Sequence, residues 1–71
     1  MRFTHHAKNN LRLYKVTSRE VESVVRNQFG KDFERRGNPR YRGFIAGRTY
    51  YVVVALDEPD VIITHFPEER G

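Results

Sequence analysis

At 71 residues the chain has room for one domain, and a chain this short buries only roughly 60% of its unfolded surface, so a single modest core is the ceiling. With no cysteine there is neither a disulfide framework nor a thiolate zinc site. The three histidines, His5, His6 and His65, make a poor metal set, because adjacent residues on a helix diverge by about 100°. Thirteen Lys+Arg against nine Asp+Glu leave a net charge of +4, which favours anionic partners, while no apolar run approaches the roughly 20 residues a membrane span needs.

Phe3, Ala7, Leu11 and Tyr14 recur at helical spacing, which predicts a first helix over Thr4–Tyr14 with Thr4 as N-cap. His6 and Leu13 flank that apolar stripe, while His5 and Arg12 point away from it. A second helix opens at Thr17, where Glu20 three residues on completes a capping box. Its expected apolar face is Val21, Val24, Val25 and Phe29, with Gly30 as the stop. Valines are indifferent helix formers, so packing must hold this helix. The polar stretch Lys31–Pro39 ends in the turn composition Gly37-Asn38-Pro39 and leaves room for a short edge strand at Phe33.

Three runs of β-formers follow, Tyr41–Ile45, Thr49–Leu56 and Val61–Phe66, separated by Ala46-Gly47 and by Asp57-Glu58-Pro59-Asp60. Two tight connections give consecutive hairpins. The expected architecture is therefore α+β: two N-terminal helices packed on one face of a three- to four-stranded antiparallel β-meander, forming a single domain over residues 1–71. Closing both hairpins symmetrically puts Tyr41, Gly43, Ile45, Arg48, Tyr50, Val52, Val54, Leu56, Val61, Ile63 and His65 on one face. This face is the more apolar, so the helices belong there, and the predicted core is Ala7, Leu11, Val21, Val25, Ile45, Val52, Val54 and Ile63. The opposite face carries Arg40, Arg42, Phe44, Thr49, Tyr51, Val53, Ala55, Ile62, Thr64 and Phe66. A one-residue bulge would exchange much of this assignment. The Glu68-Glu69-Arg70 tail reads as a frayed end.

His6-Ala7 on the first helix, a short link into Val16-Thr17, a second helix, then Arg40-Tyr41, Gly47-Arg48 and a closing Ile-Thr strand resemble a family of small bacterial proteins. That family has carried the label "domain of unknown function" and is grouped with the barnase–EndoU–colicin–RelE-like nuclease toxins. Asn10-Leu11-Arg12 followed by Lys15-Val16 is similar to the first helix of BrnT-type toxins. The resemblance spans Phe3 to Phe66. It implies a compact helix–helix–sheet fold, RNA cleavage as the activity and a cognate antitoxin as partner; the cytoplasmic location is the expectation from the lack of a long apolar run and the polar N-terminus.

Cleavage by 2′-OH attack on the adjacent phosphate needs a base, an acid and a cation. Histidine suits the first two roles through its near-neutral pKa, and arginine suits the third because its planar fork grips phosphate without losing charge. His6 and His65 are the candidate acid–base pair, meeting at one edge of the helix–sheet seam, with Arg42 as the cationic stabiliser. Arg40, Arg48, Tyr51 and Thr64 are the candidate substrate-binding residues, since cations beside an aromatic on an open sheet hold phosphates and stack bases. No cofactor or metal is called for. The alternatives are a part-buried structural His65, a solvated arginine face, and a non-catalytic module that binds RNA, ribosomes or another protein.

Overall fold

The computed structural model describes residues 1–69. Its elements run β1 (Arg2–Phe3), α1 (His5–Tyr14), α2 (Ser18–Arg26), β2 (Gly30–Phe33), β3 (Pro39–Ile45), β4 (Arg48–Val54) and β5 (Val61–Pro67). The sheet has five strands in the order β1-β5-β4-β3-β2. It is mixed rather than a pure antiparallel meander, because β1 lies parallel to β5 with Arg2 beside Val61 and Phe3 beside Ile62. The two helices stand after this strand, α1 over β5 and α2 over β3 and β4. No described helix is long and apolar enough to cross a membrane.

Local chemistry sets the helix starts. The Thr4 hydroxyl accepts from the Ala7 N–H at 3.1 Å. Both halves of the second capping box are formed, Glu20 N–H to Thr17 Oγ1 at 3.1 Å and Thr17 N–H to Glu20 Oε1 at 2.9 Å. α1 ends on Lys15 in the left-handed region, φ 56°. α2 stops at Arg26, capped by Asn27 and not carried through to Gly30, which instead starts β2. Phe29 therefore leaves the helix face: its N–H donates to the Arg42 carbonyl at 2.9 Å.

Ala46 and Gly47 have φ of 51° and 76°, the positive pair that a two-residue type I′ hairpin turn demands. Closure about them pairs Ile45 with Arg48 and Arg42 with Tyr51, as alternation predicts. The second hairpin keeps its expected register from Tyr50–Pro67 to Val53–Thr64, then slips so that Val54 meets Ile62. Ile63 is the extra residue of a bulge. As a result Ile62 is fully buried, Ile63 is only part-buried, and Leu56 is exposed instead of facing the helices.

The core is Ala7, Val21, Val24, Ile45, Tyr50, Val52, Val54 and Ile62, with Leu11 and Val25 packed at its margin. Val24 takes the central place expected of Val25 because Gly43 lets α2 approach β3 closely. A Cβ built on Gly43 would stand 3.1 Å from Val24 Cγ1 and 3.3 Å from its Cα. The tail is tied at its start, since Glu68 N–H donates to the Thr49 carbonyl at 2.9 Å and Tyr51 Oη donates to the Glu68 carboxylate at 3.1 Å. Arg70 lies outside the described residues.

Candidate functional site

The sheet face turned away from the helices carries a grid of cations and rings whose order follows from the register. One row across it runs Gly30, Arg42, Tyr51, Phe66, and the next runs Asp32, Arg40, Val53, Thr64. The Arg40 guanidinium lies 4.7 Å from the Tyr51 ring centroid, and that of Arg42 lies 5.0 Å from Phe29. Phe29 stacks on Phe44 at 4.8 Å, and Tyr51 tilts against Phe66 at 5.5 Å. Phe29 and Phe44 are 50% and 60% exposed, so these rings are surface and not core.

The two arginines differ in what is left for a ligand. Arg40 makes a forked pair with Asp32, Nε to Oδ1 at 2.9 Å and Nη2 to Oδ2 at 2.5 Å. The Arg40 hydrogen bonds hold the Asp32 carboxyl below its ordinary range. Arg42 is exposed and has no ion-pair partner among the described residues. It lies over Gly30, whose absent side chain keeps its guanidinium uncovered, and shares a small cleft with Lys31, Asp32 and Tyr51. Arg48, beside the β3–β4 turn, is paired with Ile45 and so belongs to the helix-side face. The structure thus brings Arg40, Arg42 and Tyr51 together and keeps Arg48 apart. Thr64 sits at the β5 margin of the grid, where its hydroxyl accepts from Asn10 Nδ2 at 3.1 Å.

His65 has no exposed surface. Its Nε2 lies 2.8 Å from the Ala7 carbonyl and its Nδ1 lies 2.7 Å from the Tyr50 hydroxyl. A carbonyl only accepts, so Nε2 carries the proton and Nδ1 accepts from Tyr50, giving a neutral ring with both nitrogens occupied. Burial lowers the His65 pKa; the bond to Ala7 opposes that shift, and the charge of nearby His6 adds to it. Burial likewise raises the pKa of the Tyr50 hydroxyl, so it stays a donor. The predicted pair are thus close in the fold but unlike in environment: His65 clamps α1 to β4, while His6, one residue before Ala7, is exposed. Among the described residues no group of three or more His, Asp or Glu side chains is placed to hold a metal.

Sequence reasoning missed Phe29, whose helical spacing disguised a linker residue, and Asp32, hidden in a stretch read as turn. It also missed Asn10, whose buried amide had no pattern to announce it. Compared with known proteins, the chain matches no family model, no curated protein and no solved structure.

Proposed function

We propose that this chain acts on RNA as a toxin-type protein of the RelE-like and BrnT-like kind, holding a single strand across the open sheet face. The observation that carries this reading is the grid itself, an unpaired Arg42 set in a row with Tyr51 and Phe66 and flanked by the Phe29–Phe44 stack. Arginine binds the phosphate and the rings stack successive bases, the two elements of sequence-tolerant single-strand binding. The net charge of +4 supports the same class of partner.

In an endoribonuclease, the 2′-oxygen would attack phosphorus as the bond to the 5′-oxygen breaks, leaving a 2′,3′-cyclic phosphate and a 5′-hydroxyl. Arg42 would balance the charge of the phosphorane. Proton transfer at that phosphate would fall to solvent, because both nitrogens of His65 are engaged and His6 stands on α1, across the sheet from Arg42. That engagement also favours a second reading, an RNA- or ribosome-binding module with the same arginine face and no chemistry.

The test is a salt series of RNA binding by wild type and Arg42→Ala, followed by cleavage assays with and without ribosomes. Loss of one phosphate contact should flatten the log–log salt slope by roughly 0.7 on single strands. An unchanged slope removes this face from the site. Slope-dependent binding without cleavage under either condition leaves the non-catalytic module.

A further inference from the structure

The outer edge of β5 is covered by β1 only at Val61 and Ile62. Beyond that point side chains take over: the Thr4 hydroxyl donates to the Ile63 carbonyl at 2.8 Å, and from α1 Asn10 Nδ2 donates to the His65 carbonyl at 2.9 Å and to Thr64 Oγ1 at 3.1 Å. The carbonyl fixes the amide's orientation, because only the NH2 end can face it. Asn10 is 7% exposed, and its Oδ1 has no partner among the described residues. Nor is that oxygen sealed, since among these residues no side-chain polar atom without a partner is fully enclosed. Oδ1 is thus an acceptor held rigidly at the floor of the groove between α1 and β5.

That groove is about 510 Å³, large enough for one nucleobase. The aromatic residues Tyr14 and Phe66 line it, and so does Leu13, with 66% of its surface exposed, an apolar side chain the fold itself does not use. Its other polar groups are His6, the Thr64 and Tyr14 hydroxyls and the Glu69 carboxylate, so Glu69 and the Asn10 amide oxygen both offer acceptors. Phe66 belongs as well to the Tyr51 row of the open face, so the groove continues that face around the β5 edge. A neighbouring cleft shares Pro67 and Glu69 with the groove and holds Arg48, the arginine left out of the grid.

We propose that the groove is a base-binding subsite for a nucleotide whose base carries an exocyclic amine, with its phosphate directed toward Arg48. This rests on the reading that the chain binds RNA. A ring between Tyr14 and Phe66 presents its edge to Asn10 Oδ1. Adenine, cytosine and guanine can place an amine N–H there. Uracil's one base-edge donor, N3–H, lies between two carbonyl oxygens, so giving it to Oδ1 brings those carbonyls against the Asn10 and Glu69 oxygens, a contact between acceptors that an exocyclic amine avoids. The subsite therefore supplies discrimination that stacking on the open face does not.

The experiment is an NMR titration of the full chain with 5′-AMP, 5′-CMP and 5′-UMP, following the Asn10 side-chain amide and the Leu13 methyls. AMP and CMP should shift these signals, with UMP about tenfold weaker, the worth of one good hydrogen bond. Leu13→Arg, at an exposed position, should block the groove without unfolding the protein, and Arg48→Ala should weaken all three nucleotides together. Equal affinity for UMP, shifts confined to Tyr51 and Phe44, no shifts at all, or a wild-type response from folded Leu13→Arg would each overturn the subsite. Oligo(rU) binding, measured in the same samples with Arg42→Ala as control, reports on the open face separately. Oligo(rU) binding lost with Arg42 alongside a silent groove keeps the face and removes the subsite. AMP binding in the groove without any RNA binding keeps the subsite and removes the face.

Discussion

Replacing His65 by phenylalanine keeps a ring in the core and removes a titrating group, and its consequences can be worked from the contacts. The change deletes the bond to the Ala7 carbonyl and leaves the hydroxyl of Tyr50, a residue 2% exposed, without an acceptor. One stranded buried donor costs about 1–3 kcal/mol, whereas the Ala7 carbonyl can still accept from its own helix. Against a total stability of about 4–10 kcal/mol for a chain of this length, the variant folds but melts earlier. The pH dependence is sharper evidence. The folded pKa of His65 is lowered from 6.5, so between the folded value and 6.5 the unfolded chain binds more protons than the native one. Stability is then fully present above pH 6.5 and falls as pH drops toward the folded value, by at most about 1.4 kcal/mol per pH unit for one proton. Urea unfolding followed by circular dichroism from pH 5 to 8 should show the wild-type midpoint declining below about 6.5. His65→Phe should lack that part of the slope, while His5 and His6 remain as an internal control. An identical slope in both proteins would refute the buried, neutral assignment. A folded His65→Phe that binds RNA but no longer cleaves it would return the residue to the chemistry.

Two further substitutions test the packing. Gly43→Ala should destabilise the protein by about 1–3 kcal/mol in urea melts, because its Cβ would press on the Val24 backbone and α2 must move away; a neutral outcome would mean the helix–sheet contact is looser than described. Ile62→Thr should cost more than Ile63→Thr, by about 1–2 kcal/mol, since only Ile62 is fully enclosed and a buried hydroxyl there finds no partner; equal costs would place the bulge elsewhere.

What could be read from the residues was what local chemistry decides. The Thr4 cap and the Thr17–Glu20 box involve partners three residues apart, and the Ala46-Gly47 turn fixes its own register, so the parity of Arg40, Arg42 and Tyr51 followed without tertiary information. Val61-Ile62-Ile63 carries no alternation, since all three are apolar, and only the demand for burial beneath α1 selects Ile62. β1 is two residues long and pairs across nearly the whole chain, so no periodicity could reveal it. The short edge strand expected at Phe33 is β2, but the Asp32–Arg40 fork was hidden for a related reason: β2 is held only by the edge of β3, so its register against Arg40 could not be read locally. The arginine positions of the site were therefore legible, while the pairing that divides their roles was not.

That division bears on how an RNA strand would be held. Arg40 cannot give its fork to a phosphate without releasing Asp32, and removing Arg40 would free a carboxylate on the same face, repelling the ligand as well as losing a cation. Arg2 is similarly engaged by Glu58 at 2.6 Å. The surplus of positive charge is thus less available than its count suggests, and among the described residues it narrows on the open face to Arg42. One unpaired guanidinium gives a shallow salt dependence, whereas each base stacked on an aromatic ring contributes about 1–3 kcal/mol and is little affected by salt. With Phe29, Phe44, Tyr51 and Phe66 on that face, stacking would outweigh the phosphate contact in holding a strand there. On that proposal Arg42 would act chiefly to position one phosphate beside the rings, which is also the placement that charge stabilisation of a phosphorane at that phosphate would require.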